Sequence, residues 1–213
     1  RLNNLVESDE TQEKWFEKQL AARSPGWFAR ITRTPLFFRI PLWKPDSFLD
    51  KTLKYFLWLG STPALIGFAL VGFLGLYLVS RQLDQFVNTF VHFFNLSGLA
   101  LYMVVIAVVK VCHELGHAYV AKAMGCRVPV IGVAFLVGWP VLYTDTSDAW
   151  KIPNSKRRLR IDLAGVSVEL VIAALSLFLW SLAPEGAVRS VLFMLATTTW
   201  VMSILVNFNP LMR

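Results

Sequence analysis

A chain of 213 residues with 55% hydrophobic and 16% charged residues and a mean hydropathy of +0.52 is too apolar for an ordinary soluble domain, so helices buried in lipid become the default. The formal charge of +7 is spread through the N-terminal third and one later loop, with no basic, aromatic-interleaved RNA motif. That pattern fits orientation against an anionic cytoplasmic leaflet, and no nucleic acid is expected as a partner. Two cysteines, Cys112 and Cys126, make no disulfide framework and read as free thiols.

The chain begins at Arg1 without the pattern of a signal peptide and stops at Leu211-Met212-Arg213 just after an Asn-Pro break. Together these read as a piece of a longer protein. Residues 1–54 are expected to form a cytoplasmic or interfacial segment. Within it, Thr11 to Arg23 sets Trp15, Phe16 and Leu20 among Glu13, Lys14, Glu17 and Lys18, the pattern of a short amphipathic helix. Gly26 to Asp50 mixes aromatic and basic residues with Pro35, Pro41 and Pro45. It reads as an irregular segment at headgroup level, with a linker from an upstream domain as the alternative.

Residues 55–213 are expected to form a transmembrane core. Tyr55 to Ser80 contains no charged residue and exceeds the roughly 20 residues that cross a bilayer. Gly60, Pro63, Gly67, Gly72 and Gly75 inside it predict close packing or a bend. The apolar run from Phe86 to Val109, continued by helical periodicity through Lys110 and the motif to Met124, is too long for one span, and Asn95-Leu96-Ser97-Gly98 offers an interruption. The second span is therefore placed at Gly98 to Met124, with Phe86 to Phe94 partial or interfacial and His92 an interfacial histidine. Val128 to Tyr143 is short for a span, broken by Pro129, Gly132, Gly138 and Pro140, and rich in Val and Ile. The stretch Lys151 to Arg160 carries Lys151, Lys156, Arg157, Arg158 and Arg160 without an acid and belongs in the cytoplasm. Val128 to Tyr143 must then leave and return on one side, as a re-entrant loop or β-hairpin buried in protein beside a cavity.

Ile161 to Ser181 makes the third span, with Gly165, Glu169, Ala173 and Ser176 on one face. Ser190 to Phe208 makes the fourth, with a stripe of Thr199, Ser203 and Asn207. The expected fold is an all-α membrane protein of about four transmembrane helices, with the re-entrant element after the second.

The chemistry is concentrated in His113-Glu114-Leu115-Gly116-His117. Residues four apart share a helix face, so His113 and His117 can offer two nitrogens to one metal ion with Glu114 beside them. Two imidazoles, one further ligand and an open position for water make the usual catalytic zinc, and Glu114 can take a proton from that water as general base. Gly116 lets another backbone approach. A structural pair of buried histidines is the bland alternative, weakened here because such groups are costly in lipid without a metal or a cavity.

These residues resemble the site-2 proteases, a family of intramembrane zinc metalloproteases. The resemblance rests on His113 to His117 followed by Ala118 and Gly125, on Leu163-Ala164-Gly165 with Glu169, and on Asn207-Phe208-Asn209-Pro210-Leu211. Tyr143-Thr144-Asp145 and the Asn-Pro-Leu ending look like bacterial members that stand near secretion and maturation systems. The resemblance covers roughly Tyr55 to Arg213, and only the HExxH and Asn-Pro signals are specific. It implies zinc, cleavage of membrane-associated proteins or peptides in the bilayer, and a third ligand from an Asp shortly after the Asn-Pro. Where the family often has Ala-Gly-Pro followed by Asn, this chain has Ala164-Gly165-Val166 and then Glu169.

Within the residues given, Glu169 and Asp145 remain candidate third ligands. Glu169 reads equally as a hydrogen-bond partner behind a ligand or as a pair with Lys110. Asn207 and Asn209 can hold the substrate backbone, or can cap a helix broken at Pro210. The expected function is an intramembrane zinc endopeptidase of the bacterial inner membrane with its site towards the cytoplasm. The alternative is a non-proteolytic zinc-binding subunit of a secretion or maturation system.

Overall fold

In a computed structural model of the chain, the described residues are 37–91, 96–136 and 139–205. The amphipathic pattern of Thr11 to Arg23, His92, Asn207 and Asn209 lie outside them. The described residues form two compact units, 37–40 with 133–141 and the remainder. A three-stranded sheet runs in the order β1 (Phe37–Trp43), β2 (Ile131–Leu136), β3 (Trp139–Thr144). In the smaller unit Phe38 stacks on Phe135 with ring centroids 4.6 Å apart.

The expected hairpin is thus present as β2 and β3. Of the stretch Gly26 to Asp50 expected to be irregular, the described part, residues 37–50, is instead a strand and the start of a helix; residues 26–36 lie outside the described ones. Pro41 does not forbid β1, because a proline is tolerated on an edge strand, where no ladder donor is needed. Pro140 enters β3, the other edge, on the same terms.

The larger unit is helical. Helix α1 (Asp46–Phe56) begins directly after Pro45 and buries Leu49 against Ala118, Ala121, Cys126, Val128 and Ile161. Lys122 Nζ donates to Asp46 Oδ1 at 2.8 Å and pairs with Asp50 Oδ2 at 2.9 Å, while Val128 N–H donates to Asp46 Oδ1 at 3.0 Å. The bond from Lys122, and next that from Val128, hold the Asp46 carboxyl below the usual carboxylate range.

The expected first span divides. A 3₁₀ turn, Leu57–Gly60, separates α1 from α2 (Thr62–Ser80). Ser61 Oγ accepts from Ala64 N at 3.4 Å and Pro63 stands in the first turn, a start signal that outweighs the continuous apolar pattern. Helices α3 (Leu83–Val91) and α4 (Leu96–Ala123) follow. Helix α5 (Ser155–Leu182) starts at Ser155 rather than Ile161, because Asn154 Oδ1 caps Lys156 N at 2.9 Å and draws the basic run into its first turns. Helix α6 spans Ala187–Leu205.

Three segments are long and apolar enough to cross a membrane: Thr62–Arg81, Gly98–Ala123 and Ser155–Leu182. The fourth expected span corresponds to α6, whose described apolar stretch, Ala187–Thr199, is shorter; residues 206–208 lie outside the described ones. Helix α5 is central, packing against α2, α4 and α6. Small residues set the closest approaches: a Cβ on Gly75 would stand 2.8 Å from Phe178 N, so only glycine lets α2 lie this near α5.

Candidate metal centre

His113, Glu114 and His117 lie on α4. At 1.5 Å per residue, His113 stands about 15 Å along the helix from its end at Ala123. Two glycines bring α5 against this stretch. A Cβ on Gly116 would stand 3.1 Å from Ala164 O and 2.8 Å from Val168 Cγ2. A Cβ on Gly165 would enter the His113 ring, 2.5 Å from Cδ2 and Cε1 and closer still to Nε2. The backbone approach expected at Gly116 is therefore real, and Gly165 is the seat of the His113 imidazole.

The two rings are fixed from behind. His113 Nδ1 lies 2.9 Å from Glu169 Oε1, and His117 Nδ1 lies 2.6 Å from Ile161 O. A carbonyl and an ionised carboxylate only accept, so the network assigns the proton of each ring to Nδ1. The Nε2 atoms then carry lone pairs, and they face each other at 3.1 Å. Two acceptors at that distance repel unless a cation lies between them. Two nitrogens bound to one tetrahedral zinc at about 2.0–2.1 Å stand roughly 3.3–3.4 Å apart, so the donor set fits a metal with little adjustment. Imidazoles that donate their other N–H to a carboxylate or a carbonyl are the usual arrangement behind a metal.

Glu169 is fully buried on the Nδ1 side of His113, and Lys110 Nζ donates to the same Oε1 at 2.7 Å. The face foreseen on this helix, Gly165, Glu169, Ala173 and Ser176, is buried throughout. Glu114 is held from another direction. Thr144 Oγ1 lies 2.7 Å from Glu114 Oε2 and 3.1 Å from the Glu114 backbone oxygen. Asp145 caps its own turn, accepting from Ser147 N at 3.0 Å and Ser147 Oγ at 2.5 Å. Both cysteines are free; burial pushes the Cys126 thiol up. Among the described residues no group of three or more His, Cys, Asp or Glu side chains converges as a metal site.

Sequence reasoning noted Thr144 only as part of a family-like tripeptide and gave Ile161 no part in the site. Both act through bonds between distant segments, and a backbone carbonyl carries no residue signature at all.

The model of peptidase family M50 matches residues 101–211, slightly more than half of the chain. The chain belongs to peptidase family M50. The matched stretch of this M50 protein contains the motif, the hairpin and α5, so the resemblance to site-2 proteases is borne out. Membership supports a peptidase, and with three helices of spanning length it supports an integral membrane protein. The family is generally zinc-dependent. Comparison with curated proteins and with solved structures gave no match.

Proposed function

We propose that this M50 protein is an intramembrane zinc endopeptidase that hydrolyses peptide bonds of membrane-associated proteins or peptides. The observation that carries the reading is the pair of Nε2 lone pairs facing each other at 3.1 Å, with both Nδ1 edges already committed. His113 and His117 would hold the metal, and Glu169 keeps His113 in the tautomer and orientation that binding needs. Glu169 and Asp145 are engaged elsewhere, and the third ligand is taken to be an acid following the Asn209-Pro210 motif in sequence, as the family resemblance implies.

Zinc held there would supply Lewis-acid polarisation and lower the pKa of a water towards about 7. Glu114 would serve as the base that takes up the attacking water's proton. Its Oε1 has no hydrogen-bond partner among the described residues, while Oε2 is tethered. The same carboxyl then returns the proton to the departing amine, so that one water is consumed and a new carboxylate and amine are formed. The substrate must lie extended, because a helix hides its carbonyls in its own hydrogen bonds. The edge strand β3, through its Leu142–Thr144 end beside Glu114, offers a surface for strand addition. Asn207 and Asn209 are proposed to steady the substrate backbone. By the basic run in the first turns of α5, the site faces the cytoplasm of a bacterial inner membrane, and a secretion or maturation system is a candidate setting.

Glu114→Gln decides the reading. The variant is expected to bind one zinc per chain like the wild type and to lose cleavage by about 10²–10⁴-fold, whereas His113→Ala and His117→Ala lose both. Unchanged cleavage by Glu114→Gln would overturn the assignment of the base. Zinc bound without any cleavage by the wild type would favour the non-proteolytic subunit.

A further inference from the structure

The Glu114 carboxyl sits on a helix, at the end of a side chain with three rotatable bonds, and a base must be held within a fraction of an ångström of its proton to be effective. Nothing on α4 itself restrains it: the motif's own neighbours, His113 and His117, are committed to α5. The restraint comes from β3. Thr144 is the last residue of that strand, and its hydroxyl reaches both the carboxyl and the backbone oxygen of the same residue.

We propose that Thr144 is a positioning residue for the base: its hydroxyl clamps Glu114 Oε2, leaves Oε1 turned to the reacting water, and so couples the end of the edge strand to proton transfer. This rests on the preceding reading that Glu114 is the general base. Three features support it. The 2.7 Å separation to Oε2 is a well-formed O–H···O hydrogen bond, and is shorter than the 3.1 Å to the backbone oxygen. A hydroxyl has one proton, which goes to the carboxylate, so the backbone oxygen marks where Thr144 sits rather than what it mainly serves. The β-branch of threonine restricts χ1, which makes the donor stiff, whereas serine in its place would reach the same atom with more freedom.

The position has a second consequence. Thr144 ends the strand proposed to receive the substrate, and any shift of β3 along its axis moves the clamp with it. A substrate that pairs with the Leu142–Thr144 edge therefore aligns the scissile bond and the base in one step.

The test uses the full chain, zinc-loaded in detergent micelles, with fluorescein-labelled casein as an unstructured probe. Thr144→Val removes the hydroxyl at nearly constant shape. It is expected to lower kcat on the order of 10–100-fold with KM changed by less than about 2-fold, zinc stoichiometry unchanged, and Thr144→Ser restored to within about 3-fold of wild type. Wild-type turnover by Thr144→Val, or equal loss in Thr144→Ser, overturns the clamp. If the valine variant does not fold, serine and alanine decide it: serine near wild type with alanine impaired supports the clamp, and equal rates overturn it. Glu114→Gln run alongside separates the two levels. An inactive Glu114→Gln beside an active Thr144→Val sinks only the role of Thr144, whereas an active Glu114→Gln removes the base and the clamp together.

Discussion

Gly165→Ala is the sharpest perturbation of the metal centre that leaves every polar group in place. Its new Cβ would come 2.5 Å from His113 Cδ2 and Cε1, against an ordinary carbon contact of about 3.5–4.0 Å. The ring or the helix must therefore yield by about 1 Å or more. A side-chain ring yields more readily than a helix packed along its length against α2, α4 and α6. The ring moves instead, and that breaks the 2.9 Å bond from Nδ1 to Glu169 and the 3.1 Å apposition of the Nε2 atoms. Loss of such a supporting contact lowers metal affinity about 10–100-fold, and the overpacking lowers stability by about 1–3 kcal/mol. Competition between the purified protein and a chromogenic zinc chelator, with melting curves beside it, measures both. Gly67→Ala on α2 is the control. Apart from its own helix backbone and chain neighbours, no heavy atom of the described residues lies within 4 Å of its Cβ position, so helix propensity makes it neutral or stabilising by up to about 1 kcal/mol. Zinc affinity of Gly165→Ala equal to that of Gly67→Ala would refute the placement of His113 over Gly165.

Three further outcomes follow from the same packing. Glu169→Gln leaves Lys110 facing a neutral amide and is expected to destabilise the fold by about 3 kcal/mol, the lower end for a broken buried pair because Lys110 is 23% exposed; adding Lys110→Met should recover part of that loss, and strict additivity in chemical denaturation would argue against the pair. Asp46 has a depressed folded pKa, so its contribution is fully present above the ordinary carboxylate pKa and is lost as pH falls through the folded value. Wild type should therefore lose stability below about pH 4 more steeply than Asp46→Asn, and parallel acid limbs would contradict this. Arg189 lies 4.4 Å over the Trp180 ring and donates to Gln82 and Gln85; Arg189→Ala should lower stability by about 1–2 kcal/mol yet leave zinc binding intact, since Trp180 is about 22 Å along α5 from Gly165.

Features legible in the sequence were those carried by local pattern. The second and third spans, expected at Gly98 to Met124 and Ile161 to Ser181, follow from long, mostly apolar runs continued by helical periodicity, and the hairpin from Val-rich residues broken by Gly138 and Pro140. The facing of His113 and His117 follows from spacing alone. The break at Ser61 was only partly legible: Pro63 signalled a bend, but nothing local said that residues before it would pack on α4 through Leu49. Strand β1 was hidden because its partner β2 is about ninety residues away in sequence, and because Pro41 reads as a breaker unless the strand is known to be an edge. The Gly165 seat and the Thr144 clamp were invisible for a related reason. Each is a contact between two elements whose register depends on the completed packing.

The site is best understood as a chain of polar groups that each tolerate burial only because of the next. Lys110 is offset by Glu169, Glu169 is satisfied on one side by Lys110 and on the other by the N–H of His113, and His117 is satisfied by the Ile161 carbonyl. Every member has a partner of the right kind except the last pair, whose two lone pairs point at one another. Two buried histidines without a metal could carry one proton on Nε2 and let that Nε2–H donate to the other Nε2, but the carbonyl of Ile161 and the carboxylate of Glu169 both favour the proton on Nδ1. The arrangement fits the proposed cation at the Nε2 atoms, and its support comes from the α5 side, where Gly165 makes the room and Glu169 faces Nδ1 of His113.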